Sequence, residues 1–168
     1  MAALHGQQNT FYIPSSVEQE MCKHMFLSLP QEACGVMLGE TAAGGIRISR
    51  FQPIRNVAPD PLHHFALDDA EWIRCVFSEP KLIGIFHSHP QTSPVPSLED
   101  MQALPAFAGL LQMYLIGSPD LTSGLRSRMH LNGYQIESSK KLPDKAHQDQ
   151  AHHVAPSYHL LPVPLCVT

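Results

Sequence analysis

Apolar side chains recur at two different periods along the chain, and the period distinguishes predicted helices from predicted strands. Near the N-terminus the spacing of about four residues is helical. Ser15 and Glu18 have capping-box spacing, which satisfies free backbone donors in a first helical turn, and Pro30 predicts the end of the helix. The apolar face of this helix consists of Val17, Met21, Cys22, Met25, Phe26 and Leu29.

Strand patterns are strongest in the middle of the chain. Residues 82–86 are continuously apolar and predict a central strand that is buried on both faces. Mixed strands and helices predict an α/β or α+β fold in which helices pack against a sheet. The other predicted elements are core strands at 32–39 and 113–116, a half-solvated strand at 46–51, a short strand at 64–67, a helix opened by Asp68 and Glu71, and a helix at 101–111 interrupted by Pro105.

The last third of the chain changes character. Asn132-Gly133 separates two short strand-like runs and predicts a hairpin, because a type I′ turn needs positive φ at both central positions. From Ser138 onward the sequence is polar and contains histidine and proline. We therefore expect a domain at 1–137 and an extended or partly disordered tail at 138–168.

Length and composition narrow the classes of protein. The chain has 168 residues, 43% of them hydrophobic, which suits one globular domain. The net charge is −4 and there is no basic block, so we expect no nucleic-acid partner. The four cysteines are widely scattered and form no C-x-x-C motif, which argues against a disulfide framework and against a zinc ribbon with thiolate ligands. Neither a signal peptide nor a membrane span is expected, and a cytoplasmic location follows as an expectation.

Candidate metal ligands come directly after the predicted central strand. On an extended chain, residues two apart face the same side, so His87 and His89 can present both imidazoles to one point. Ser97 is the predicted start of a helix, with Asp100 in its first turn. Two imidazoles and one carboxylate are typical of a catalytic zinc site, in which water takes the fourth position. Ser97 and Asp100 alone could be only a helix cap, but the combination favours a metal site.

The order H-x-H-P, a gap of seven residues between His89 and Ser97, and S-x-x-D resembles the JAMM motif of the MPN+ metalloproteases. That family also carries a glutamate just before a short strand, and Glu32 matches this position. The resemblance extends over roughly 11–137. It implies a cytidine-deaminase-like α/β/α sandwich with a mixed central sheet, the JAMM/MPN domain.

The resemblance also implies a role for each residue. His87, His89 and Asp100 would bind Zn²⁺, Glu32 would be the general base and acid, and Ser97 would donate a hydrogen bond to the oxyanion. The implied activity is hydrolysis of a peptide or isopeptide bond after the C-terminal tail of a ubiquitin-like or sulfur-carrier protein. The short chain favours the small stand-alone prokaryotic type. Both bond types, and any oligomeric state, remain compatible with the sequence.

Two other functions are weaker interpretations. A non-catalytic MPN-type interaction scaffold would not need the metal ligands, all of which are present here. A deaminase would need H-x-E and P-C-x-x-C patterns, and the sequence has neither. Among neighbouring side chains we interpret Ser88 as structural, Cys34 as a core residue, and His63 and His64 as ordinary polar residues.

Overall fold

The computed structural model describes residues 9–122, 128–139 and 157–168, and within these ranges the strands form one eight-stranded mixed sheet. The strands are β1 (Thr10–Ile13), β2 (Cys34–Ala42), β3 (Gly45–Ile54), β4 (Leu82–Ser88), β5 (Met113–Pro119), β6 (Met129–Ser139), β7 (Ser157–Val163) and β8 (Leu165–Val167), and the helices are α1 (Ser15–Ser28), α2 (Asp69–Ser78), α3 (Leu98–Ala103) and α4 (Pro105–Ala108). The strand order is β7-β6-β5-β4-β2-β3-β1-β8. The β4–β5, β1–β3 and β1–β8 pairs are parallel, and the others are antiparallel.

Helices cover both faces of this sheet, and the sheet divides the core into two clusters. On one face, Met21 and Met25 of α1 pack in a cluster with Phe86 of β4. On the other face, Cys75 of α2 joins a cluster with Ile85 of β4. The predicted α/β fold with α/β/α layers and a mixed sheet is therefore confirmed. Within the described ranges, no helix is long and apolar enough to cross a lipid bilayer.

The predicted central strand is also confirmed. β4 lies between β2 and β5, and every residue from Ile83 to Ser88 is buried. The strand extends two residues beyond the apolar run, so that His87 and Ser88 belong to it. A buried strand therefore carries the first candidate metal ligand into the interior.

Helix capping follows the sequence prediction at α2 but not at α1. The side chain of Asp68 accepts a hydrogen bond from Glu71 N at 3.1 Å, as its spacing predicts. At α1 the capping-box prediction is wrong, because Pro14 occupies the cap position and makes no side-chain hydrogen bond. Ser15 is already helical, and its backbone N–H donates to Thr168 O at 2.8 Å instead. A distant part of the chain thus satisfies the donor that the local motif would have satisfied.

The predicted hairpin at Asn132-Gly133 is wrong. Both residues lie inside β6, where Gly133 pairs with Leu115 of β5 and Val163 of β7. Close packing favours the glycine, since an added Cβ would lie 2.6 Å from the Leu165 side chain and 2.9 Å from Phe11, and these side chains would have to shift. Asn132 donates through Nδ2 to Pro94 O at 2.9 Å. Asn132 and Gly133 therefore make tertiary contacts within β6, although the same dipeptide is a turn signal by local rules.

The predicted short strand at 64–67 is reduced to one isolated bridge between Asn56 and Leu67. Residues 61–63 form a turn, and 64–66 have no regular structure. Asn56 holds this segment by accepting hydrogen bonds at Oδ1 from Ala58 N at 2.9 Å and Ala66 N at 3.1 Å. Side-chain bonds from Asn56 thus replace a strand ladder, and the segment becomes an ordered loop.

The described part of the C-terminal segment belongs to the sheet. β7 pairs with β6 at one edge, and β8 pairs with β1 at the other. Thr168 N donates to Ile13 O at 2.9 Å, which extends the second pairing. His147, His152 and His153 lie outside the described residues, and the division of the chain at residue 137 stays a prediction.

Deletion of residues 157–168 tests whether these strands stabilise the folded unit. The deletion would remove both edge strands and expose Phe11 and Tyr134, which the chain end helps to bury. We expect the free energy of unfolding, measured by urea denaturation, to decrease by about 3 kcal/mol or more. An unchanged denaturation midpoint and slope would contradict a stabilising role for the two strands.

Candidate metal centre

Two histidines from β4 and the residue after it converge on one point. His87 is the penultimate residue of β4, and His89 follows the strand, where its N–H donates to Gly117 O at 2.8 Å. The two Nε2 atoms lie 3.0 Å apart. The extended chain therefore brings both imidazoles to one side, as their spacing predicts.

Asp100 reaches the histidines because a capping box fixes the start of α3. Ser97 Oγ accepts from Asp100 N at 3.1 Å, and Asp100 Oδ2 accepts from Ser97 N at 2.7 Å. The same carboxylate contacts both imidazoles, with Oδ1 3.1 Å from His87 Nε2 and Oδ2 3.3 Å from His89 Nε2. The capping interpretation and the ligand interpretation of S-x-x-D are therefore compatible in one geometry.

The three residues form a buried cluster that can hold a metal ion, with all ligand atoms within 4.8 Å of one another. Ligands about 2.0–2.1 Å from a tetrahedral zinc ion lie about 3.3 Å from each other, close to the 3.0–3.3 Å found here. Nδ1 of His87 has no hydrogen-bond partner among the described residues. Its ring is held instead by the Nε2 contacts and by stacking on Phe65, with centroids 4.5 Å apart. Donor types and spacing both fit a divalent cation.

The surroundings keep an anionic carboxylate beside the imidazoles. Burial alone would raise the pKa of Asp100, but hydrogen bonds from His87 and His89 outweigh burial and hold it well below its usual range. Burial lowers the pKa of His87, which favours the neutral ring. Burial also opposes charge on His89, yet contacts with Asp100 and Ser93 O raise the pKa of His89 above its ordinary value. A metal requires neutral imidazole and ionised carboxylate, so its binding would release a proton from His89 wherever that ring is protonated.

Glu32 lies beside this cluster, two residues before β2. A cleft of 150 Å³ is lined by Glu32, His89 and Ser97, among others. Burial raises the pKa of Glu32 to about 7, although the nearby His89 acts in the opposite direction. A carboxyl group with a pKa near neutrality can both accept and donate a proton at physiological pH. A cation at the neighbouring cluster would favour its carboxylate form.

The backbone around Glu32 is held by hydrogen bonds that the sequence does not reveal. Its N–H donates to Pro61 O at 2.8 Å, and its carbonyl accepts from Asn56 Nδ2 at 3.0 Å. The next residue, Ala33, donates to Ser88 Oγ at 2.8 Å and accepts from Ser88 N at 2.9 Å. Glu32 is thus attached both to the strand that carries His87 and to the loop after β3.

The residues predicted to form the site therefore lie together. His87, His89 and Asp100 form the cluster, and Glu32 and Ser97 line the adjoining cleft. Their chemical roles stay predictions. Asn56 and Phe65 were missed, because both belong to an irregular segment whose sequence carries no periodic pattern.

The other side chains considered near the site differ in their surroundings. Cys34 is fully buried, and burial raises the pKa of its thiol to about 12, which disfavours a nucleophilic thiolate. Ser88 is fully buried on β4 and bonded to Ala33. His63 lines the cleft and contacts Asp60, whereas the sequence predicts an ordinary polar residue. His64 is exposed and does not line the cleft.

A buried His-His-Asp cluster that could hold a metal ion thus lies at the end of a central strand, within an α/β/α sandwich. The family described as prokaryotic homologs of the JAB domain matches residues 14–130, and the chain belongs to this family. This range contains all five residues predicted for the site.

Two curated relatives match a shorter region. The chain is 34% identical over 95 residues to desampylase from Haloferax volcanii, which covers 54% of this chain and 65% of the relative. It is 27% identical over 95 residues to a probable TtuB-protein conjugate cleaving protease from Thermus thermophilus, covering 54% and 61%. The chain thus spans less than two thirds of the length of either relative.

A solved structure supports the fold over almost the whole chain. The solution structure of protein DSY2949 from Desulfitobacterium hafniense superposes with a TM-score of 0.63 and covers 94% of each chain. At 23% identity, this similarity concerns the fold alone.

The Ser88 hydroxyl is expected to stabilise the junction between β2 and β4. Ser88→Ala would leave the buried N–H of Ala33 without its acceptor, which costs about 1–3 kcal/mol. Ser118→Ala is the matched control, since Ser118 is a buried serine on β5 whose hydroxyl makes no hydrogen bond among the described residues. Urea denaturation of both variants compares the two losses. Equal losses would contradict a specific contribution from the Ser88–Ala33 bond.

Proposed function

We propose that the protein is a zinc-dependent metallopeptidase that hydrolyses a peptide or isopeptide bond after the C-terminal tail of a ubiquitin-like or sulfur-carrier protein. The observation that carries the proposal is the buried His87–His89–Asp100 cluster beside Glu32, a carboxyl group whose pKa is near 7. The names of the two relatives, desampylase and a probable conjugate cleaving protease, support the same chemistry.

The metal would be held by His87, His89 and Asp100. A zinc ion at this position would supply Lewis acidity toward water and the scissile carbonyl. Asp100 also organises the site through the capping box, because its carboxylate fixes the start of α3 and thereby the position of Ser97.

Glu32 would transfer the proton. Its carboxylate accepts a proton from the attacking water and then gives it to the leaving amine. Burial raises the pKa of the Glu32 carboxyl group, while a cation at the cluster would lower it and so favour the carboxylate that accepts the proton. Hydrogen bonds to the backbone of Glu32 and Ala33 hold this segment beside the cleft that the Glu32 side chain lines.

Ser97 would stabilise the developing oxyanion. Its Oγ accepts a hydrogen bond from Asp100 N, so the hydroxyl proton remains available for donation. A donor held in advance by a helix cap needs little reorganisation when charge develops on the carbonyl oxygen.

Loss of one proposed ligand should remove the metal. We expect His89→Ala to weaken zinc affinity more than about 100-fold, since loss of groups that only orient metal ligands costs 10–100-fold. His64→Ala is the matched control, because His64 is exposed and lies outside the cluster. Metal content after dialysis, measured by inductively coupled plasma mass spectrometry, distinguishes them. Zinc retained by His89→Ala at the wild-type level would contradict the ligand assignment.

Glu32→Gln should separate metal binding from hydrolysis. The amide cannot take the proton, so we expect cleavage to slow by about 10²–10⁴-fold while zinc content is unchanged. The substrate is a diglycine-ended sulfur-carrier protein with a short C-terminal extension, and mass spectrometry locates the cut. We expect the zinc-loaded wild type to cut directly after the diglycine. Full activity in Glu32→Gln would contradict the proton-transfer role.

A further inference from the structure

The loop between β3 and α2 supplies a histidine to the candidate active-site cleft. His63 lines the cleft together with Glu32, His89 and Ser97. Its side chain is 62% exposed, so a substrate can reach it. It is not part of the metal-binding cluster found among the described residues.

Hydrogen bonds attach the backbone of this loop to Glu32, which keeps the loop beside the proposed base. Pro61 O accepts from Glu32 N at 2.8 Å. Asn56 Nδ2 donates both to Glu32 O at 3.0 Å and to His64 O at 2.9 Å, so one side chain links Glu32 to the loop that carries His63. The backbone next to His63 is therefore held beside Glu32, although the His63 side chain is exposed.

Asp60 orients the His63 ring. Nδ1 of His63 lies 2.9 Å from Asp60 Oδ2, and this hydrogen bond lowers the pKa of Asp60 below its ordinary value. An ionised carboxylate can only accept, so the proton of the pair is on Nδ1. In the neutral ring, Nε2 is then an unprotonated acceptor directed away from Asp60.

We propose that His63 is a substrate-binding residue whose Nε2 accepts a hydrogen bond from a main-chain N–H of the substrate next to the scissile bond. This inference rests on the proposed peptidase function. An extended peptide that enters the cleft loses water from its amide groups, and each N–H then needs an acceptor. The other polar groups of the site have different tasks, since Ser97 offers a donor and Glu32 moves the proton. His63 supplies the acceptor that the site otherwise lacks among these groups.

Two amide substitutions separate the roles of the two ring nitrogens of His63. His63→Asn retains a donor near the position of Nδ1, and so the contact with Asp60, but has no group at the position of Nε2. His63→Gln can place its amide oxygen near the position of Nε2. His64→Asn is the matched control, because it makes the same change at the adjacent exposed histidine, which does not line the cleft.

Binding is measured in the zinc-loaded 168-residue chain that carries Glu32→Gln, so that the substrate stays intact. The probe is a peptide that contains a diglycine followed by a short extension, and isothermal titration calorimetry gives its Kd. We expect His63→Asn to raise Kd about 3- to 10-fold, the contribution of one neutral hydrogen bond. His63→Gln should restore most of the affinity, and His64→Asn should leave Kd unchanged.

The outcomes distinguish this inference from the proposed function. An unchanged Kd in His63→Asn, or an equal loss in His63→Gln, would overturn the acceptor role. If the wild type fails to cleave the peptide while Kd still depends on His63, the peptidase proposal fails and the binding inference stands. Absence of measurable binding to the parent protein would overturn the binding inference, while the peptidase proposal is decided by cleavage of the sulfur-carrier substrate.

Discussion

The candidate site depends on the pairing between Ala33 and Ser88, where the start of β2 meets the end of β4. An antiparallel pair normally exchanges two backbone N–H···O bonds. Here Ser88 Oγ replaces one carbonyl as the acceptor, while the second bond remains a backbone bond. The register beside this pair places Cys34 opposite His87. A slip of one residue would turn the side chains to the opposite face and separate Glu32 from the histidines.

This arrangement concentrates ionisable groups in the buried interior, where a charge is unfavourable. Glu32, His87, His89 and Asp100 are all buried, and removal of each charge from water costs about several kcal/mol. Hydrogen bonds from the two imidazoles stabilise the ionised form of Asp100, whereas burial raises the pKa of Glu32 to about 7. A stable core would be built more simply from apolar side chains. The cluster therefore makes physical sense as a site for chemistry, since a bound divalent cation would offset the negative charge.

The sequence predicts the parts of the site that depend on local pattern. The strand at 82–86 follows from a continuous apolar run, and Ser97 with Asp100 follows from capping-box spacing. The remainder depends on contacts between distant segments. Asn132 and Gly133 form a turn signal by local rules, yet tertiary packing keeps both inside β6. Asn56 resembles any polar loop residue until the fold brings the carbonyls of distant residues to its side chain.

The two walls of the cleft differ in how they are built. One carries His89 and Ser97 on segments fixed by a strand end and a helix cap. The other is an irregular loop, which carries His63 and is held by side-chain hydrogen bonds from Asn56. Reacting groups require positions fixed to within a fraction of an ångström, which regular elements provide. A loop tolerates changes in sequence more readily. A change of sequence in the loop wall would therefore disturb the His87–His89–Asp100 cluster less than a change in the wall built from the strand end and the helix cap.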